Sequence, residues 1–113
     1  MRPPAQGADP RLVLSTAPDR ASAERIARSL VESRLAACVN LVPGIRSVYR
    51  WEGEVEEADE VLLVAKTTAA RLEELERALV GLHPYDVPEC VALDPSRVEA
   101  SYLAWLAGAC GKA

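Results

Sequence analysis

No stretch of this chain approaches the roughly 18 consecutive apolar residues that a bilayer-spanning helix needs, although half of its 113 residues are hydrophobic. A soluble globular protein with no membrane partner is expected. Residues 1–10, Met-Arg-Pro-Pro-Ala-Gln-Gly-Ala-Asp-Pro, lack the apolar segment of a secretory signal, so a cytoplasmic location follows. Their proline and glycine content predicts a disordered tail, with residues 11–113 forming one domain. A basic excess is also missing. The net charge of −4 and a pI near 5.0 provide no cationic stripe for a phosphate backbone, which argues against nucleic acid as a partner.

Paired cysteines are absent too. Cys38, Cys90 and Cys110 are odd in number and contain no CxxC, against both a disulfide framework and a zinc ribbon, so free thiols are expected. Lysine is scarce: of 13 basic residues only Lys66 and Lys112 are lysines. An internal ammonium in a chain that otherwise uses guanidinium marks Lys66 for chemistry that arginine cannot mimic, or simply as an exposed strand end. With one histidine and no GxSxG, P-loop, HExxH or Rossmann fingerprint, no enzyme is indicated.

What is present has clear periodicity. Arg11 to Thr16 reads as a first strand, and Asp19 caps a helix whose apolar stripe is Ala23, Ile26, Ala27, Leu30 and Val31. From Ala37 to Trp51 β-branched, aromatic and other apolar residues dominate, broken only by Pro43-Gly44, which predicts a strand with a bulge or bend. Glu52-Gly53-Glu54 reverses the chain as a hairpin, and the return strand runs to Thr67. A second helix is expected after Thr68, with Leu72, Leu75, Leu79 and Leu82 on one face and Gly81 at its end. Cys90 to Leu93 makes a short strand. Ser96 and Glu99 form a capping box ahead of a third helix whose face is Val98, Tyr102, Trp105, Leu106 and Ala109.

This order is the α+β, ferredoxin-like split βαβ plan, βαββαβ plus a C-terminal helix. It places a four-stranded antiparallel sheet under two helices. The hairpin arms, about 15 residues each at roughly 3.3 Å per residue, would reach about 50 Å. A chain of this size should be nearer about 35 Å across. A long protruding hairpin is therefore expected. It carries Val48, Tyr49, Trp51 and Val55, and sister copies should cover it in a closed homo-oligomer; the alternative is that Pro43-Gly44 folds the arm back and keeps the chain monomeric. Tyr49 and Trp51 share strand parity and are assigned to subunit contact.

His83-Pro84-Tyr85-Asp86-Val87-Pro88-Glu89 packs the only histidine, a tyrosine, two prolines and two acids into seven positions. Each proline fixes φ and stiffens its neighbour, so the segment can hold polar groups still for a cation or small anion. The plainer alternative is a rigid helix-to-strand connector with Tyr85 plugging the core. The acidic run Glu52, Glu54, Glu56, Glu57, Asp59 and Glu60 could gather hard cations. A solvated strand face is the simpler account of it.

Ser33 to Asn40, Ser47 to Gly53, Lys66-Thr67, His83-Pro84-Tyr85 with Pro88-Glu89, and Tyr102 to Leu106 together resemble the CutA family of divalent-cation tolerance proteins. The likeness covers nearly everything after residue 10. It implies a homotrimer similar to PII signalling proteins, and a role in the response to metal ions. It further implies weak binding of copper, and possibly zinc, with His83 and Cys38 as the metal ligands and no obligatory cofactor. A thiolate suits Cu(I) and an imidazole suits Cu(II) or Zn(II). Ser15 and Ala78 stand where some members carry further cysteines, which leaves a donor set poorer in thiols. The PII likeness implies an alternative, a signalling or interaction module. In it Lys66, Tyr85, Glu89 and Tyr102 would line an inter-subunit pocket for a small anion or nucleotide.

Overall fold

The computed structural model describes residues 9–111. The elements are β1 (Pro10–Ala17), α1 (Arg20–Glu32), β2 (Cys38–Trp51), β3 (Glu54–Thr68), α2 (Ala69–Leu82), β4 (Val91–Leu93) and α3 (Ala100–Ala109). The strands form one sheet in the order β2-β3-β1-β4, each neighbouring pair antiparallel. β1 begins at Pro10, and the Asp9 carbonyl accepts from the Ala69 amide, so order starts slightly before residue 11. The rest of the expected tail lies outside the described residues.

Alternation decides where the core sits. On β1, Val13, Ser15 and Ala17 are buried, and their partners Ala65, Leu63 and Val61 are buried opposite them. This face meets Ala23, Ile26 and Leu30 of α1 and Leu75 and Leu79 of α2. At about 25 cal/mol per Å² of apolar surface removed from water, these contacts are the main drive to fold. The opposite face presents Leu12 and Leu14 of β1, Leu62, Val64 and Lys66 of β3, and Val91 and Leu93 of β4. Among the described residues only α3 packs on β3 and β1 outside the main core, reaching Lys66 through Tyr102.

Asp19 caps α1 as expected, accepting from the Ser22 amide at 2.7 Å. Val31 departs from the expected stripe and is exposed, because the buried face is centred on Ser22, Ala23, Ile26, Ala27 and Leu30 and leaves it at the rim. Thr68 stands at the start of α2 without a side-chain cap. Gly81 does not end α2. The helix runs through Leu82 and stops at His83, whose backbone is extended (φ −78°, ψ 139°), as the steric demand of Pro84 requires. Nor do Ser96 and Glu99 form a capping box. Glu99 itself is the cap of α3, its carboxylate accepting from the Ser101 and Tyr102 amides. The face expected of α3 is sheltered only at Leu106, which with Cys110 packs on Ala37, while Trp105 is 50% exposed.

The hairpin is as long as its residue count demands, and the molecule measures 54 × 27 × 22 Å. Glu52 (φ 49°) and Gly53 (φ 82°) are both left-handed, the combination a two-residue turn needs to match strand twist. Pro43-Gly44 is a bulge. Val42 pairs with Leu62 and Ile45 with Glu60, so two residues of β2 oppose one of β3. The extra residue switches the parity of everything after it. Cys38 and Asn40 share a face with Lys66 and Val64, and beyond the bulge Ser47, Tyr49 and Trp51 take over that face, beside Ala58, Glu56 and Glu54.

Candidate functional site

The connector after α2 is pinned to the sheet by its histidine. His83 is 8% exposed, with Nε2 2.7 Å from the Thr16 carbonyl oxygen and Nδ1 3.1 Å from the Tyr85 amide. An amide can only donate and a carbonyl can only accept, so Nε2 carries the proton and Nδ1 is the acceptor. Both ring nitrogens are engaged. The Tyr85 ring lies 4.8 Å from the imidazole, and its hydroxyl donates to Glu60 Oε2 at 2.8 Å. Burial, and then the adjoining Glu60 carboxylate, push the Tyr85 phenol well above its ordinary pKa.

Glu60 breaks the expectation of a solvated acidic strand. It is 8% exposed, whereas Glu54, Glu56, Glu57 and Asp59 are exposed. Glu60 lies where the arm leaves the body of the sheet, and Tyr85 folds over it. Neighbouring Arg46 turns to Glu57 and Asp59 instead. Sequence parity held one signal: Glu60 has the same parity as Leu62 and Val64 and so had to continue the face they occupy.

Between the hairpin arm and this connector opens a cleft of about 690 Å³. Tyr49, Trp51 and Tyr85 are its aromatic lining, and Thr16 and Ser47 line it as well. Glu56, Glu60, Asp86 and Glu89 supply its charge, with no basic residue in the lining. The bulge parity switch is what delivers Tyr49 and Trp51 to it.

The other residues singled out from the sequence lie elsewhere. Lys66 Nζ sits 5.8 Å from the centre of the Tyr102 ring. Lys66 also pairs across the sheet with Cys38. Glu60 precedes Lys66 by six residues on β3, which separates Tyr85 and Glu89 from Lys66 and Tyr102 by about 20 Å at roughly 3.3 Å per residue. Cys38 and His83 are likewise apart within one chain. Cys38 is level with Leu12 through Lys66, and His83 with Thr16, about 13 Å further along the strands. Among the described residues no three His, Cys, Asp or Glu side chains come together as a metal-holding group. The three thiols are free. Burial raises the pKa of Cys90, reinforced by Glu76 and Glu89, and burial likewise raises that of Cys110, keeping both protonated.

Fold and site define a small α+β protein with a one-sided antiparallel sheet, an overhanging hairpin and an acidic aromatic cleft. The profile of the family described as CutA1 divalent ion tolerance protein matches residues 11–109. The divalent-cation tolerance protein CutA of Thermus thermophilus is 52% identical over 95 residues, covering 84% of this chain and 92% of its own length. Among solved structures, CutA from Xylella fastidiosa superposes with a TM-score of 0.89 at 43% identity, over 91% of this chain and 99% of that one. The structure described as the periplasmic divalent cation tolerance protein CutA of Archaeoglobus fulgidus gives 0.87 at 34% identity, over 90% of this chain and 99% of that one. The chain belongs to the CutA family of divalent-cation tolerance proteins. That family is named for a tolerance and not for a reaction, and no helix among the described residues is long and apolar enough to cross a membrane.

Proposed function

We propose that this protein serves divalent-cation tolerance as a cytoplasmic homotrimer of ferredoxin-like, PII-like subunits that binds copper, or zinc, weakly. The observation that carries the reading is the uncovered sheet face. Leu12, Leu14, Leu62, Val64, Val91 and Leu93 form a continuous apolar surface across three strands, flanked by Trp105 and by an arm that projects past the body. Apolar area on this scale is a surface for other copies of the chain. The strand order supports the ferredoxin-like assignment. Three free thiols suit a reducing compartment.

Cys38 stands half-buried on the uncovered face, where association with a sister copy supplies further donors. His83 offers a lone pair only by giving up the Tyr85 amide, a trade of one hydrogen bond for one coordination bond that keeps affinity low. Light scattering should return three times the 12.2 kDa chain mass. Leu62→Glu should release monomers. Copper and zinc titrations should weaken in Cys38→Ser and in His83→Ala, and unchanged affinity in both variants removes those ligands. A monomer at micromolar concentration defeats the assembly.

A second reading, a small anion held at a subunit boundary, is favoured by Lys66, which has no carboxylate partner among the described residues and lies against Tyr102. The acidic surroundings of Tyr85 and Glu89 count against their half of that pocket. A thermal-shift screen of nucleotides and organic anions, read with and without Lys66→Gln, separates this from the metal reading.

A further inference from the structure

We infer that Glu60 of one copy and Lys66 of a sister copy form an ion pair across the subunit boundary, and that this bridge sets the register in which the chains assemble. The inference rests on the homo-oligomer proposed above. Within a single chain each of the two is a charge without an opposite charge. Glu60 is 8% exposed, yet no lysine or arginine pairs with it among the described residues. Its hydrogen bond comes from the Tyr85 hydroxyl, which orients the carboxylate without neutralising it. Glu56, Asp86 and Glu89 line the same cleft, and no base does, so the surroundings favour a cation from outside the chain. Lys66 is the converse. It is half-buried against the Tyr102 ring and has no carboxylate partner among the described residues.

Strand parity puts both on one surface. Glu60 and Lys66 flank Leu62 and Val64 on β3, all four on the sheet face that α1 and α2 leave uncovered. Lys66 is the only base that the described strands turn to that face. Arg11, Arg46 and Arg50, their other bases, have the opposite parity, and Arg11 and Arg46 already pair with Asp94 and with Glu57 and Asp59. Six residues along a strand keep Glu60 and Lys66 about 20 Å apart, so they cannot meet in one chain. When a sister copy covers Leu62 and Val64, both charges leave water together, and a desolvated charge without a partner is costly. Pairing each with the other across the boundary removes both costs. A contact between unlike patches of identical chains is heterologous, and rotation repeats it until the ring closes with one Glu60–Lys66 bridge per boundary. The apolar residues alone would tolerate a slip of two positions along the strand. The bridge would not, because a slipped register leaves both charges buried and unpaired.

Urea unfolding of the full chain at several protein concentrations reads subunit association, since the midpoint of an oligomer rises with concentration. Glu60→Gln keeps an acceptor for the Tyr85 hydroxyl and removes the charge. It and Lys66→Gln should each weaken association by about tenfold or more per boundary, as truncating one partner of a buried charge pair does. The two together should weaken it no further than the worse of the singles, because the second substitution removes a charge that the first has already orphaned. Glu60→Lys and Lys66→Glu should each lower the mass seen by light scattering, and both substitutions in one chain should restore it. Glu24→Gln, on α1, should change nothing. A wild-type chain that is monomeric overturns this inference together with the assembly reading. An oligomeric wild type in which the two glutamine substitutions have no effect, or act as independent additive losses, overturns this inference alone.

Discussion

His83 donates its Nε2–H to the Thr16 carbonyl at 2.7 Å, and this bond fastens the α2–β4 connector to the end of β1. Because Nδ1 simultaneously accepts from the Tyr85 amide, one side chain fixes the connector, and with it Tyr85, against β1.

Replacing His83 with alanine therefore removes a partner from a partly buried carbonyl and from a partly buried amide. A loss of about 2–4 kcal/mol in urea denaturation is expected, with His83→Gln, which carries a donor and an acceptor, recovering part of it. A His83→Ala protein as stable as wild type would mean that the connector is held by its prolines alone.

Alkaline pH should act through Tyr85. Its phenol titrates above the ordinary value near 10, so the folded chain retains that proton where the unfolded chain has already released it. The resulting stabilisation is complete below about pH 10 and is lost as pH rises through the higher folded-state value. Thermal melts between pH 8 and 11 should fall with a slope that Tyr85→Phe makes shallower. At pH 7 the same variant should lose about 1–3 kcal/mol, since Glu60 forfeits its donor. Identical pH slopes in the two proteins would dismiss Tyr85 as their source.

Ser15 presents the opposite case. Its Oγ is buried against the α1/α2 layer and finds no partner among the described residues, an unmade hydrogen bond in the core. Ser15→Ala should be neutral or stabilising by about 1 kcal/mol by the same denaturation assay. A loss larger than about 1 kcal/mol would reveal a partner for the hydroxyl.

Gly44 carries the bulge at φ 76°, with open space where a side chain would project. The penalty for replacing it is therefore backbone strain alone. Gly44→Val should lose about 1–2 kcal/mol and Gly44→Asn distinctly less, because asparagine tolerates the left-handed region. Equal losses in the two would point to a steric cause.

Much of the secondary structure is legible without coordinates because it depends on neighbours in the chain. The Asp19 cap, the α1 stripe around Ile26 and Leu30, the Gly53 turn and the Pro43-Gly44 bulge each follow from spacing and local backbone sterics. The overhang of the arm is equally a matter of counting residues. Where two local signals competed, composition misled. Gly81 looked like the end of α2, but the clash before Pro84 acts two residues later, at His83. Ser96 looked like a cap, but the Glu99 carboxylate reaches the free amides of α3 directly.

The sequence by itself determined the strands and helices, the length of the hairpin and the rigidity of the His83 connector, all set by side-chain periodicity and proline sterics over a few residues. Tertiary structure alone decided that Glu60 would be buried under Tyr85, that both nitrogens of His83 would be taken, and that Lys66 and Tyr102 would lie far from the cleft. Those outcomes depend on the pairing of β2, β3 and β1 and on one bulge that switches the parity of Tyr49 and Trp51, relationships between residues remote in sequence.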